Sequence, residues 1–428
     1  MASTSLTRTL TTPTSDKIFT FSAWVKRSAL GSEGYVFTIG SNGGSSPSHW
    51  YSIRYANEKI YVQRSGTGQL ITNAVYRDLS AWYHIVLTND TTQATDSNRI
   101  KLYVNGEQPS LGTATYPSQN ATLDGINGAR CALGLTYSGT GNYFDGSMAH
   151  VHFIDGTAYQ ASTFGETNAA SGIWTPIASP SVTYGTNGFF LKFGSSGALG
   201  TDSSGNSNTF TVNGSGTQTQ DAPSNVFATM NATSIYGSVT LANGNTQVNV
   251  ADSTDNATST FMVSSGKWYW EGKYTVGASG LAMVGIRPEG MNYNQQTLFN
   301  LTGTYQGYYY YGDNGNIRPA NTSYGASYDV GDIIAFALDL DSATQTITFY
   351  KNGVSQGAVT IATSGLTWGF SFNSGGSSDT FQMNFGNGYF GTTAVASGNA
   401  DGAGYGIFEY VPPTGYYSLC TKNINTYG

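Results

Sequence analysis

Between Tyr328 and Gly353 the chain reads YDVGDIIAFALDLDSATQTITFYKNG, and a chain built around that stretch is committed to paired strands. Val330-Gly331-Asp332 spells a turn, Ile333 to Leu340 an apolar strand, and Asp341 to Thr344 a tight polar reversal. An alternating strand then ends in Lys351-Asn352-Gly353. Asn-Gly after a β-rich run is a hairpin signal, because both residues tolerate positive φ. The same device, with Tyr two residues ahead of the Asn, occurs upstream at Tyr103, Asn105 and Gly106. One copy in each half predicts two β-sandwiches of similar build.

The 428 residues are too many for one sandwich and sufficient for two. Charged residues make up only 10% of the chain, so long helices would lack their usual exposed faces, while 55 Gly supply turns. Aromatic and β-branched residues run throughout, which argues against disorder. A formal charge of −7 provides no basic footprint, so no nucleic-acid partner is expected. No apolar run nears the roughly 20 residues of a membrane span, and no membrane insertion is expected. The N-terminus, MASTSLTRTLTTPTSD, has no apolar secretory core, which implies synthesis in a cytoplasm without an export signal. Cys131 and Cys420, one in each half, read as buried thiols rather than a disulfide.

In the first half, Phe19, Phe21, Ala23 and Val25 share one face of a strand, with Thr20, Ser22, Trp24 and Lys26 on the other. Further strands at 34–39, 51–55, 60–64, 82–88, 99–105 and 146–154, separated by polar turns, predict an antiparallel sandwich. In their order, FTFSAWVKRS, AWYHIVLTND, RIKLYVNGE and FDGSMAHVHFIDG resemble the laminin-G or concanavalin A-like fold. Over about residues 1–220 the chain is similar to structural proteins of marine bacteriophages, which often continue, as here, with FGETNAASGIWTPIA, YGTNGFFLKF and LGTDSSGNSNTFTVNG. The stretch 161–180, carrying Trp174, reads as an irregular strap around the first sandwich. The polar, Gly/Ser/Asn-rich stretch 202–223 is the expected boundary, giving domains 1–220 and 221–428.

In the second half, SGKWYWEGK, VGIR, the stretch 307–317 and the Tyr328–Gly353 stretch resemble, in that order, a SPRY domain, itself a concanavalin A-like sandwich. The tail, 385–420, adds a Gly-rich closing segment. The expected fold is therefore all-β: two tandem concanavalin A-like antiparallel β-sandwiches (jelly rolls).

Sandwiches of this kind include glycosidases, which set two carboxyls across the scissile bond. The seven Glu lie more than five residues apart, so no close pair shares a strand. Asp339 and Asp341 are spaced i, i+2 but read as caps of the reversal, and no catalytic residue is assigned. His150 and His152, with Asp145 or Asp155, have metal-ligand chemistry. A half-exposed strand with polar positions turned outward explains them as well and is preferred, so no metal ligand is assigned. Neither Gly-Lys is followed by Ser or Thr, which excludes a P-loop. No cofactor is expected. Laminin-G-like members that bind Ca²⁺ at loop rims leave calcium open, although no dense acidic cluster stands in this sequence.

Recognition falls to aromatic clusters. Alternation through Tyr308 to Tyr311 sends one pair to the core. Tyr309 and Tyr311, beside Asp313, Asn314 and Asn316, would offer sugar-stacking faces next to hydrogen-bonding groups, with Trp268 and Trp270 on a nearby strand. His49 and Trp50, after the Gly/Ser loop, form a second such place. Packing or subunit contact is the competing explanation for both. The expected protein is a non-enzymatic virion component, a tail fibre or spike binding host-surface glycan. Capsid decoration or a head fibre is the neighbouring alternative, and a polysaccharide-degrading enzyme or a cellular lectin is the alternative of another class. The expected partners are other virion proteins, the glycan and further copies of the chain, because weak sugar contacts need a multivalent homo-oligomer; a trimer is favoured.

Overall fold

The computed structural model describes residues 4–40, 50–64, 68–123, 126–169, 171–252, 255–277, 282–290, 307–374 and 378–428. The chain divides into two units, Met1–Gln218 and Thr219–Gly428. Each is a pair of antiparallel sheets.

Period-two alternation builds the first unit. Its eight-stranded sheet runs in the order Thr211–Asn213, Ser5–Thr9, Arg130–Leu133, Gly34–Gly40, Tyr51–Ala56, Lys59–Arg64, Gly68–Thr72 and Leu111–Thr115. Its five-stranded sheet runs Phe189–Leu191, Gly146–Asp155, Ile18–Arg27, Tyr83–Asp90 and Ile100–Val104. Phe19, Phe21, Ala23 and Val25 enter the core with Phe37, Ile53, Val62 and Cys131 of the other sheet, and Phe21 stacks on Phe37 at 4.2 Å.

The opposite face of that strand, with Thr20, Ser22, Trp24 and Lys26, is buried too. The strap is the reason. Gly165–Thr167 and Trp174–Pro176 pair as a small hairpin, and Tyr159, Phe164, Trp174 and Tyr184 cluster with Val86, Tyr103 and Ile154 on the outer surface of the sheet.

The second unit has a seven-stranded sheet in the order Met230–Tyr236, Asn256–Ser259, Trp368–Ser374, Ala282–Pro288, Tyr308–Tyr311, Asn316–Arg318 and Thr322–Ser323. The facing sheet runs Thr240–Ala242, Gln247–Val250, Asp379–Asn384, Lys267–Val276, Ile333–Asp339, Thr346–Lys351 and Val354–Thr360, with Tyr417–Ser418 added in parallel to Lys267–Val276. Trp268 and Trp270 point into the core among Phe336, Phe349, Phe370 and Phe372, so they are not part of a loop-tip surface. The closing segment lies on the other face of this sheet, where Phe408 and Tyr416 cluster with Tyr269, Ala335, Ala337 and Tyr350. Cys131 and Cys420 are free and buried, as the sequence implied.

The duplicated Asn-Gly device is the same in both units. Asn105 and Gly106 have φ of 49° and 89°, and Asn352 and Gly353 have 48° and 79°. Asn105 N–H donates to the His84 carbonyl at 2.9 Å, and its side-chain Oδ1 accepts from His84 N–H at 2.8 Å. Asn352 repeats both bonds with Ile333, each at 2.8 Å. A Cβ on Gly106 would stand 2.9 Å from the Trp174 ring, and one on Gly353 2.6 Å from the Tyr410 ring. In each unit, therefore, an aromatic from the overlying segment rests on the turn glycine. The reversal after Ile333–Asp339 is capped as its residues predict. Asp339 accepts from Asp341 N–H, Ser342 N–H and the Ser342 hydroxyl, while Asp341 accepts from Gly266 N–H at 2.7 Å.

Candidate binding sites

The four tyrosines of the Tyr308–Tyr311 strand are all buried. Tyr308 and Tyr310 belong to the core, as one pair was expected to. Tyr309 and Tyr311 lie on the other face, but are only 1% and 7% exposed, and neither offers a stacking surface. The next strand, Asn316–Arg318, brings Arg318 opposite Tyr309 and sets its guanidinium 5.3 Å from the Tyr311 ring centroid. Alternation assigned the faces correctly; what Arg318 of the neighbouring strand sets against the outer one was not visible to it.

The amides nearby hold the turn together. Asn314 Oδ1 accepts from Asn316 N–H at 3.0 Å, and the Asn316 amide donates to Asn321 Oδ1 at 3.0 Å. Asp313 and Asn314 are exposed.

Asp313 reaches a concavity of about 250 Å³ lined also by Gly312, Ser327, Asp329, Asp332 and Lys351. The two loops forming it are tied by Tyr328 N–H donating to the Gly312 carbonyl at 2.9 Å. Tyr328 sinks its ring into the core, with its hydroxyl 2.7 Å from the Ala282 carbonyl oxygen. Lys351 Nζ lies 2.7 Å from the Ser327 carbonyl oxygen and 3.1 Å from Asp332 Oδ2. Burial alone would raise the Asp332 carboxyl. The Asp329 N–H, the Asn352 amide and the Lys351 ammonium outweigh it and hold Asp332 below its ordinary range. The cleft thus has one wall fixed by an ion pair and exposed carboxylates of Asp313 and Asp329 on the others. That set accepts hydrogen bonds from hydroxyls at several points and donates from one.

His49 lies outside the described residues. Trp50 is half-buried and stacks on Tyr137 at 4.5 Å with 10° between the ring planes. Tyr35, Arg54 and Tyr61 stand in register across three neighbouring strands. Arg54 lies 5.4 Å from the Tyr35 ring centroid and 5.2 Å from that of Tyr61, and is paired with Glu33. This aromatic row is a second candidate surface, and Tyr137 is the member that sequence spacing did not bring to Trp50.

Residues 3–162 match the family model described as the concanavalin A-like lectin/glucanases superfamily, of laminin-G type, and residues 267–388 match that of the SPRY domain. The chain carries a laminin-G-like unit, then a SPRY unit. No curated protein matches it. Among solved structures, the SPRY domain of human HERC1 is 17% identical over 36% of this chain and 96% of its own, with a TM-score of 0.29. The heptameric SAP-like pentraxin from Limulus polyphemus is 16% identical over 37% of this chain and 72% of its own, with a TM-score of 0.28.

In the laminin-G-like unit His150 is half-buried on its strand, but the other two described histidines are not turned outward. His84 and His152 are buried beneath the strap, and a bulge between Ala149 and His152, with His150 at φ 46°, breaks the alternation that would align 150 with 152. The Asp155 carboxylate is occupied by the N–H groups of Thr14, Ser15 and Asn187. Among the described residues no group of three or more His, Cys, Asp or Glu is placed to hold a metal.

Proposed function

We propose that the chain is a non-enzymatic virion protein of tail fibre or spike that binds host-surface glycan through the Asp313 cleft of its SPRY unit. The observation that carries this reading is the convergence of Asp313 and Asp329 with the Lys351–Asp332 pair in one loop-rim concavity. Sugar recognition needs acceptors and a donor held by a rigid scaffold, and loops on a sandwich provide that. The lectin-like and SPRY matches support binding, and the motif order that resembles phage structural proteins over about residues 1–220 supports the virion. Asp332, whose carboxyl is held below its ordinary range, does not supply a general acid in the cleft. The reading requires no cofactor, nucleic acid or membrane. It places the protein among other virion proteins as a homo-oligomer, a trimer favoured, because each cleft alone binds weakly. The stacked Trp50 and Tyr137 favour a second position for the same glycan on the laminin-G-like unit.

The test is adsorption of the purified protein to host-surface polysaccharide. The Asp313→Ala/Asp329→Ala variant should bind at least about tenfold more weakly, with unchanged melting, since both residues are exposed. Trp50→Ala measures the second position separately. Wild-type affinity in the double variant, or release of reducing ends by the pure protein, would refute the reading.

A further inference from the structure

We propose that the strap of the laminin-G-like unit is a proton-operated latch, closed by neutral His84 and His152 and opened when they take up protons. The two histidines stand on the strands Tyr83–Asp90 and Gly146–Asp155, which flank Ile18–Arg27 on either side. Each bonds an aromatic of the overlying segment. Trp174 Nε1 is 2.9 Å from His84 Nδ1, and the Tyr184 hydroxyl is 3.0 Å from His152 Nδ1.

Hydrogen-bond chemistry fixes the state of His84. An indole N–H only donates, so Nδ1 must be the bare acceptor nitrogen. The ring proton then sits on Nε2, which lies 2.8 Å from Ser22 Oγ and donates to it. A second proton has Nδ1 as its only place, where it would point at the Trp174 N–H. Donor would face donor, and the bond that holds Trp174 down would be lost. Trp174 is also the ring that rests on Gly106 of the Asn-Gly turn and on Gly165 of the small hairpin, so its departure frees the hairpin from that turn.

Among the described residues, no carboxylate acts on either ring to compensate the new charge. His84 is sandwiched against Trp24 at 4.7 Å, and His152 against Phe190 at 3.9 Å. The groups acting on these rings are other histidines: His150 on the same strand as His152 acts on both, and His84 acts on His152. Lys192, beyond the Phe189–Leu191 strand, acts on His150. Lys26 shares the covered face with Trp24, and Asp202 acts on Tyr184 rather than on either imidazole. Each proton taken up therefore makes the next more costly.

Burial accordingly pushes His84 down to about 3, and His152 well below the ordinary 6.5. With folded values depressed, the contribution to strap docking is complete above about 6.5. It declines as the pH falls and is gone once the folded values are passed. Opening would uncover Val86, Tyr103 and Ile154, an apolar face that the strap keeps from water.

The experiment is hydrogen exchange on the full chain after brief pulses at pH 7.5 and pH 4, referenced to an unstructured peptide. Peptides spanning 157–186 should lose protection at least about tenfold at the lower pH, while those of the Ile18–Arg27 strand keep theirs. The His84→Asn/His152→Asn variant retains an acceptor oxygen near each Nδ1 but cannot titrate, and its strap should stay protected at pH 4. Imidazole ¹⁵N shifts of the wild type provide a readout independent of that variant's folding, and should show His84 as the Nε2–H tautomer at neutral pH. Three results would each overturn the latch: strap protection unchanged at pH 4, equal loss in the Asn variant, or the Nδ1–H tautomer at His84.

Discussion

Glu271 shows how much one buried carboxylate can carry. It accepts from Tyr410 N–H at 2.8 Å and Glu409 N–H at 2.9 Å, with the Tyr269 hydroxyl at 3.1 Å. Complete burial nevertheless raises it to about 7. The two backbone N–H groups and Tyr269 pull it down, and the charge of Glu409 pushes it further up. Because the folded value exceeds the ordinary 4.5, stability is greatest in acid and falls as the pH rises from about 4.5 through 7, by on the order of 3 kcal/mol. Replacing Glu271 by Gln should remove that slope. Between pH 5 and pH 8 the denaturant midpoint of the wild type should drop while that of the variant stays level; parallel behaviour would show that Glu271 does not titrate in this range. Sequence spacing reveals Asp339 as a cap, because the Asp341 and Ser342 groups it caps are two and three residues away, whereas its ion pair with Lys267 is not written locally. Glu271 is not legible in the same way, since its main partners come from 138 residues downstream.

At the scale of elements, alternation read the inner faces well and the outer faces poorly. Phe19 to Val25 landed in the core because inward positions need only be apolar. Tyr309 and Tyr311 were misplaced as a binding surface because the neighbouring strand brings Arg318 against the outward face, and period-two patterning contains nothing about that neighbour. The Asn-Gly turns link the two levels, since each turn glycine is also the seat of an overlying aromatic. Gly106→Ala should therefore cost more than backbone strain alone. Gly31, at φ 80° with open space around its would-be Cβ, supplies the comparison. Gly31→Ala should lose roughly 1 kcal/mol. Gly106→Ala should lose at least about as much again, with a change in Trp174 fluorescence as the ring is displaced. Equal losses at the two sites would mean that Trp174 contributes nothing by sitting there.

For the whole molecule, each core is made within its own unit: the first draws on residues from Leu6 to Phe210, the second on residues from Ala228 to Leu419. Fragments cut between Gln218 and Thr219 should each be soluble, give β-rich circular dichroism and melt cooperatively; aggregation of either would show that one half lends strands to the other. Within a unit, though, the first-made chain waits for the last. The Ser5–Thr9 strand is flanked on one side by Thr211–Asn213, and Phe227 bridges to Cys420. At a ribosomal pace of roughly 5–20 residues per second, Ser5 emerges on the order of 10–40 s before its neighbour at the sheet edge. Chains interrupted before residue 211 would leave one edge of that strand bare, a template for wrong pairing, while its other edge pairs with Arg130–Leu133. Whether synthesis ran past that point is thus advertised on the surface of every copy, where a protease or chaperone can read it.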